Sequence, residues 1–354
     1  MIRGRTFAIA VGLLLALTLG LRLGYVAITP DYTLVHDARN YDYHARSIAL
    51  GEGYGLSFNR PTAFRPPGYT FFLAGVYDLA GVAREDADTR VVPARVAQAF
   101  VGTLAVALIG LLAAQLWGRR EALAALALGA VYLPLILAGG ALMSEPLFVV
   151  LMLGALAAAV QLRRSPHRWR WVLVAGLLGG LATLTRANGA ILLAPLAFAV
   201  WTARPRWSLR ALAAPAVLVA VAVVTVAPWT IRNAVELRAF VPVSTQLGSA
   251  LAGTYNSEAQ DDRENPASWR SLARVDEYAY LYDRVAATPE AVLERELRHA
   301  ALQYIADHPL YVGEVAFWTT RRLLDLGGLD WAEHTASTVS VEKGWADAGV
   351  VCFW

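Results

Sequence analysis

Apolar residues in this chain come in long runs, at about 7–28, 92–117, 121–138, 144–162, 171–185, 188–203 and 209–230. Each approaches the ~20 residues that carry a helix across a bilayer. A weaker run, 66–83, is broken by Asp78. The first run follows basic residues and shows no small-x-small cleavage site before Asp31, so it reads as an uncleaved anchor. The tail from 232 is polar and irregular at first. Thr288-Pro289-Glu290 then predicts a helix start, and 291–307 follows with helical spacing. Pro309 interrupts, and a second amphipathic helix is predicted to Leu326, before Gly327-Gly328. Residues 348–354 resemble the first residues of an eighth span, which reads as a C-terminally truncated fragment.

Loop charge orients the spans. Arg163, Arg164, Arg168 and Arg170 crowd one short loop, and Arg204, Arg206 and Arg210 another. Both are therefore cytosolic. Counting back, Arg119 and Arg120 are cytosolic and residues 84–91 are outside. The N-terminus is cytosolic only if 66–83 does not cross. The expectation is seven crossings, with 30–91 one external loop whose 66–83 portion lies on the membrane surface or dips into it. Residues 1–231 then form a transmembrane catalytic bundle, and 232–354 an extracytoplasmic helical segment leading into the eighth span. The fold class expected is an all-α membrane protein, a multi-span helical bundle with a juxtamembrane first external loop.

Composition agrees. The 354 residues are 57% hydrophobic and 17% charged, with net charge +3, where a soluble domain carries about 25% charge. This excludes a disordered chain and a nucleic-acid-binding module. Lys343 is the single lysine against many arginines, which reads as coding bias. A lone cysteine, Cys352, excludes an internal disulfide and a thiolate metal cluster.

Polar residues that the bilayer does not explain collect on the external side. They are Asp37, Tyr41 and His44, which share one face if 37–50 is helical; Arg65 before Pro66-Pro67-Gly68-Tyr69; Ser144-Glu145-Pro146 at the mouth of the fourth span; Thr185-Arg186; and Pro228-Trp229 with Arg232-Asn233. Arginines there can bind a phosphate bidentately, and a carboxylate beside them can take a proton from a hydroxyl. Each residue also has a plainer reading. Asp37 can cap a helix, and Glu145 can favour a helix N-terminus. Arg22 and Arg186 can snorkel, the reading favoured for Arg22. Arg65 can stack on Phe64 or Tyr69. His36 and His44 read as surface residues, and the aromatic residues at span ends as an interfacial belt. The span interiors read as almost free of charge.

The order of these pieces resembles the family 39 type polytopic glycosyltransferases of the GT-C fold, which include protein O-mannosyltransferases and lipid A aminoarabinose transferases. The resemblance runs from the first span to about residue 325. It is carried by Asp37-x3-Tyr41-x3-Ala45, Gly51-x-Gly53-Tyr54, Arg65-Pro66-Pro67-Gly68-Tyr69, Glu145-Pro146, Thr185-Arg186, Pro228-Trp229-x2-Arg232-Asn233 and Phe240-Val241-Pro242-Val243-Ser244. It implies Asp37 as catalytic base, Glu145 as an active-site acid, and Arg65 as a phosphate ligand. Arg186, Arg232, Tyr41 and Tyr69 join these as substrate-binding candidates. The aminoarabinose transferases carry Glu-Lys where this chain has Phe64-Arg65, so a carboxylate that could ligate a metal is missing; a divalent metal stays open. The resemblance further implies a polyprenyl-phosphate sugar donor, inverting transfer, and more spans than seven. The acceptor is a lipid, glycan or protein, and the setting is the plasma membrane of a bacterium, among membrane lipids. The competing reading is a polytopic transporter or lipid flippase. It predicts polar residues or broken helices at mid-membrane and repeated halves, and no repeat is visible.

The topology is testable with single cysteines at Ser57, Ser165 and Ser268 in a Cys352→Ser background. An impermeant thiol reagent should label Ser57→Cys and Ser268→Cys in intact cells and spare Ser165→Cys; the reverse at either of the first two loops overturns the orientation.

Overall fold

The computed structural model describes residues 4–56, 60–165, 168–201, 208–284, 287–324, 326–339 and 341–353. Arg204, Arg206, Ser57 and Trp354, which enter the topology and end-of-chain expectations, lie outside them. The described chain is all-α apart from two-residue strands at Gly55–Leu56 and Arg60–Pro61. The helices are α1 (Gly4–Ile28), α2 (His36–Ala49), α3 (Pro67–Ala80), α4 (Ala87–Leu116), α5 (Arg119–Val131), α6 (Leu133–Gly140), α7 (Glu145–Leu162), α8 (Arg168–Thr185), α9 (Leu193–Val200) and α10 (Leu209–Glu236). After them come α11 (Gln246–Thr254), α12 (Ser257–Asp261), α13 (Asp276–Asp283), α14 (Glu290–Asp307), α15 (Pro309–Leu323), α16 (Leu329–Ser337) and α17 (Lys343–Phe353).

Among the described residues α1, α4, α7 and α10 are long and apolar enough to cross a membrane, and α5 with α6 makes a fifth span if the pair is taken as one. The pair is bent by 56°. Pro134 has no N–H for the carbonyl of Ala130, and the backbone leaves the helix at Tyr132. The seven expected crossings are thus only partly matched. Helix α8 opens on Arg168 and Arg170 and falls outside the set. Residues 187–200 divide into a 3₁₀ turn, Ala187–Leu192, and the eight-residue α9. Helix α3 has 14 residues, roughly 21 Å at 1.5 Å per residue, shorter than the ~30 Å hydrocarbon core of a bilayer.

The chain divides into two compact units. The first is Met1–Gly55, Pro66–Pro228 and Glu333–Trp354; the second is Leu56–Arg65 and Trp229–Ala332. In the first, α7 to α10 pack through alanines, with Ala155, Ala158, Ala159 and Ala175 buried beside Leu196 and Leu218. Small residues let backbones approach where apolar burial gives no drive between helices in lipid. A Cβ on Gly176 or Gly180 would stand 2.6 Å from Leu218 O or 2.9 Å from Ala222 O of α10. Helix α17 packs on α6, with Trp345 edge-on to Tyr25 at 5.5 Å. In the second unit, Ala252, Tyr278, Leu281, Leu297 and Ala301 join α11, α13 and α14. The predicted helix start at Glu290 and the helix after Pro309 are both present as α14 and α15.

Two arginines, Arg22 and Arg95, correct the reading of a nearly uncharged interior. Arg22, expected to snorkel, is 1% exposed. It donates to Thr18 O at 3.1 Å and Gly129 O at 3.5 Å. It occupies space left by Gly102, where a Cβ would come within 2.9 Å of its Nε. Arg95 donates to Gly140 O, Thr29 O and Thr29 Oγ1 at 2.6–2.8 Å, with its guanidinium 4.6 Å from the Tyr32 ring centroid and 5.9 Å from that of Tyr25. Those two tyrosines are buried rather than part of an interfacial belt, although Trp117, 71% exposed at the end of α4, fits one. Arg90 makes a two-pronged pair with Asp42, Nε–Oδ1 2.9 Å and Nη2–Oδ2 2.7 Å, and the Tyr77 hydroxyl donates to the same carboxylate at 2.9 Å. This triad ties α2, α3 and α4 together.

Removing one member of a buried ion pair strands the other. Asp42→Ala should therefore lower unfolding free energy by about 3–5 kcal/mol, read by denaturant unfolding of the purified protein in detergent. Arg90→Met in the same chain should recover part of that loss; a single-variant loss under about 1 kcal/mol would mean that the pair behaves like a surface bridge.

Candidate active site

The carboxylate Glu145 is aimed by an irregular segment, not by helix alone. Between α6 and α7, residues 141–144 leave the helix, so their backbone groups need outside partners. Helix α4 provides them. The Gln98 amide donates to Ala141 O at 3.0 Å and Met143 O at 2.8 Å, and Arg95 holds Gly140 O. The Tyr32 hydroxyl accepts Leu142 N–H at 3.0 Å. Pro146 then fits the first turn of α7, where no N–H is required. Glu145 sits in that turn, where the helix N-terminus favours negative charge.

Arg186 reaches this carboxylate from α8. The helix ends at Thr185, and Arg186 is extended before the 3₁₀ turn. Gly68, at the start of α3, allows this corner to close: a Cβ there would lie 2.7 Å from Thr185 Oγ1 and 2.9 Å from Thr185 N. The Arg186 guanidinium pairs with Glu145 Oε1, each side chain being about one-third to one-half exposed, at 35% and 45%. Ser144 is the node beneath them. Its hydroxyl, in a residue 1% exposed, accepts from Arg186 Nη1 at 3.1 Å and Tyr41 OH at 3.2 Å, and donates to Glu145 Oε2 at 3.4 Å.

Tyr41 and Tyr69 complete the group, edge to face at 4.9 Å. The Tyr69 hydroxyl is fully buried without a hydrogen-bond partner. Burial, then the neighbouring tyrosines and the Glu145 charge, push its pKa well above the usual phenol value. It stays a protonated donor at any working pH.

The first unit thus brings together Tyr41, Tyr69, Glu145 and Arg186. Asp37 lies one turn before Tyr41 on α2, half-buried. Val35 occupies the cap position without a side-chain bond, and Asp37 stands in the first turn of the helix. His44, read as a surface residue, is instead buried, with Nδ1 3.0 Å from Gly55 O and its ring stacked on Tyr54 at 5.1 Å.

Arg65 and Arg232 belong to the second unit. Arg65 is 9% exposed, its guanidinium 5.2 Å from the Phe64 ring centroid, one of the two stacking partners expected. Arg232 lies 4.9 Å from the Trp229 ring centroid and donates to Thr62 O at 2.7 Å. Glu290 holds the same strip, accepting from Thr62 Oγ1 at 2.5 Å, Ala63 N at 2.9 Å and Thr245 Oγ1 at 2.6 Å. Sequence reasoning missed Gln98, Arg95 and Glu290 and gave Ser144 no role. Arg95 and Gln98 inside an apolar run were the available signal for α4; Glu290 left none beyond its helix-start motif.

Among the described residues no group of three or more His, Cys, Asp or Glu side chains is arranged to hold a metal ion. At Glu145 the carboxylate is paired with the Arg186 guanidinium.

No curated protein and no solved structure matches the chain. Residues 64–232 match the family described as Dolichyl-phosphate-mannose-protein mannosyltransferase, a segment that holds Arg65, Tyr69, Glu145, Arg186 and Arg232 and leaves Asp37 outside. With its all-α, multi-span fold, that match supports a membrane glycosyltransferase of GT-C type using a polyprenyl-phosphate sugar donor.

Proposed function

We propose that the chain transfers a sugar from a polyprenyl phosphate to an acceptor hydroxyl at the extracytoplasmic face, with inversion. The observation that carries this reading is the Arg186–Glu145 pair, anchored by Ser144 against Tyr41 at the mouth of α7. The acceptor oxygen attacks the anomeric carbon while the bond from that carbon to the phosphate oxygen breaks. The phosphate leaves with the electron pair, and the acceptor proton passes to a carboxylate. Arg186 neutralises the leaving phosphate, and its fork suits two oxygens at once. Arg65, in the second unit, is the phosphate-binding candidate that the family resemblance implies. Arg232 is committed to Thr62 O and acts by holding the strip that bears Arg65. Glu145 is committed to Arg186 and Ser144, so it orients the cation and the acceptor, and Asp37 serves as base. Tyr69 contributes a hydroxyl donor.

The first test is purified protein with a panel of polyprenyl-phosphate sugars, reading sugar transfer to a hydroxyl acceptor and release of the polyprenyl phosphate. Transport of the intact lipid without release would favour the flippase reading. Folded Asp37→Asn should lose at least ~10²-fold in kcat while donor binding survives; near-parent turnover would move the base elsewhere. Glu145→Gln should also cut activity, through a weaker acceptor or donor interaction.

Arg65→Lys keeps the charge and loses the planar fork, so donor affinity should fall. Unchanged donor affinity in both Arg65→Ala and Arg186→Ala would remove these residues from the site.

A further inference from the structure

Helix α15 is apolar on two opposite sides. One side, Tyr311 and Val315 at 2% and 9% exposure, packs with Ala267 inside the second unit. The other is open. Leu310, Phe317 and Leu324, seven residues apart and so on one face, are 86%, 60% and 47% exposed. Leu323, 78% exposed, widens the apolar surface. A shallow groove of about 660 Å³ runs along it beside Ala316, Thr320 and Leu326. An apolar face of this kind has no stable place in water.

Three observations point to the bilayer as its occupant. The longer segment of the second unit begins at Trp229, inside the final turns of α10, a helix long and apolar enough to cross a membrane. The unit is therefore tied to lipid by its own backbone, and the first residues of that segment include Ile231 and Val235, 63% and 69% exposed. The C-terminal end of α15 carries Arg321, exposed and lining the groove, whereas Trp318 and Arg322 belong to the packed side, Trp318 against the Tyr311–Val315 cluster and Arg322 donating to Pro266 O. An exposed guanidinium at the edge of an apolar face settles at the headgroup level, where it suits lipid phosphates. Finally, α15 has 15 residues, roughly 22 Å at 1.5 Å per residue, too short to span and long enough to lie flat.

We infer that α15 is an interfacial helix whose Leu310–Phe317–Leu324 face is seated in the headgroup–acyl boundary of the membrane that α10 crosses. This contact anchors the second unit to the lipid surface. It does not depend on the sugar-transfer reading.

The test uses the full chain in proteoliposomes of phosphatidylethanolamine and phosphatidylglycerol, in a Cys352→Ser background. A nitroxide is attached to a single cysteine at Leu310, at Phe317, or at His299, an exposed polar position on α14. At Leu310 and Phe317 collisions with oxygen should exceed those with a water-soluble nickel chelate, giving a depth of about 5–10 Å. At His299 the order should reverse. Nickel access at both α15 positions equal to that at His299 would overturn the inference. So would protection of both positions from oxygen and nickel alike, which would mean a protein segment or a second copy covers the face. Two positions on different turns keep the test decisive if one labelled variant fails to fold.

Discussion

A guanidinium inside a hydrocarbon layer must find its solvation within the protein, and here backbone carbonyls provide it. Arg95 takes carbonyls from Gly140 and Thr29, Arg22 takes those of Thr18 and Gly129, and Gln98 takes those of Ala141 and Met143. The need is mutual. Residues 141–144 leave the helical ladder, and free carbonyls at membrane depth are tolerated only where protein satisfies them. The buried polar side chains of α4 and the broken backbone before α7 are thus two halves of one arrangement. Either half alone would be costly.

The candidate site follows from that arrangement. With 141–143 held by α4 and Tyr32, Ser144 is fixed with its hydroxyl toward Tyr41, Arg186 and Glu145. Ser144 neither caps α7 nor faces water. It passes order from the rigid interior to two half-exposed charged groups, whose ion pair alone would be weakly positioned. The Asp42–Arg90–Tyr77 triad does the same for α2 and α3, which carry Asp37, Tyr41 and Tyr69. The second unit uses Glu290 and Arg232 in an equivalent way, both gripping the strip before Arg65.

This division separates residues that hold from residues that act. Arg90 and Arg95 have every guanidinium nitrogen bonded to protein groups, and Arg22 is bonded to Thr18 O and Gly129 O while its buried Nε has no partner. A midplane polar path of the kind a transporter needs is not what these three arginines form. The groups left partly exposed include Asp37, Glu145 and Arg186, to which the proposed function gives the phosphate and the hydroxyl.

The linear order of residues was enough to determine that this is a multi-span helical protein, where α1, α4, α7 and α10 run, and where α14 begins. Each of these depends on hydropathy over about twenty residues or on a local start signal, and both survive without tertiary context. The acidic and basic positions of the candidate site were also visible, because charge beside an apolar run is conspicuous. What tertiary structure decided was the partner of each polar group. Arg22 looks like a snorkelling residue until Gly102 leaves room for it to turn inward; His44 looks exposed until Tyr54 stacks on it. Ser144 meets Tyr41 across 103 residues, and Arg186 reaches it across 42. Such pairings depend on where helices cross and where a missing Cβ lets them approach, and no periodicity along the chain encodes that distance.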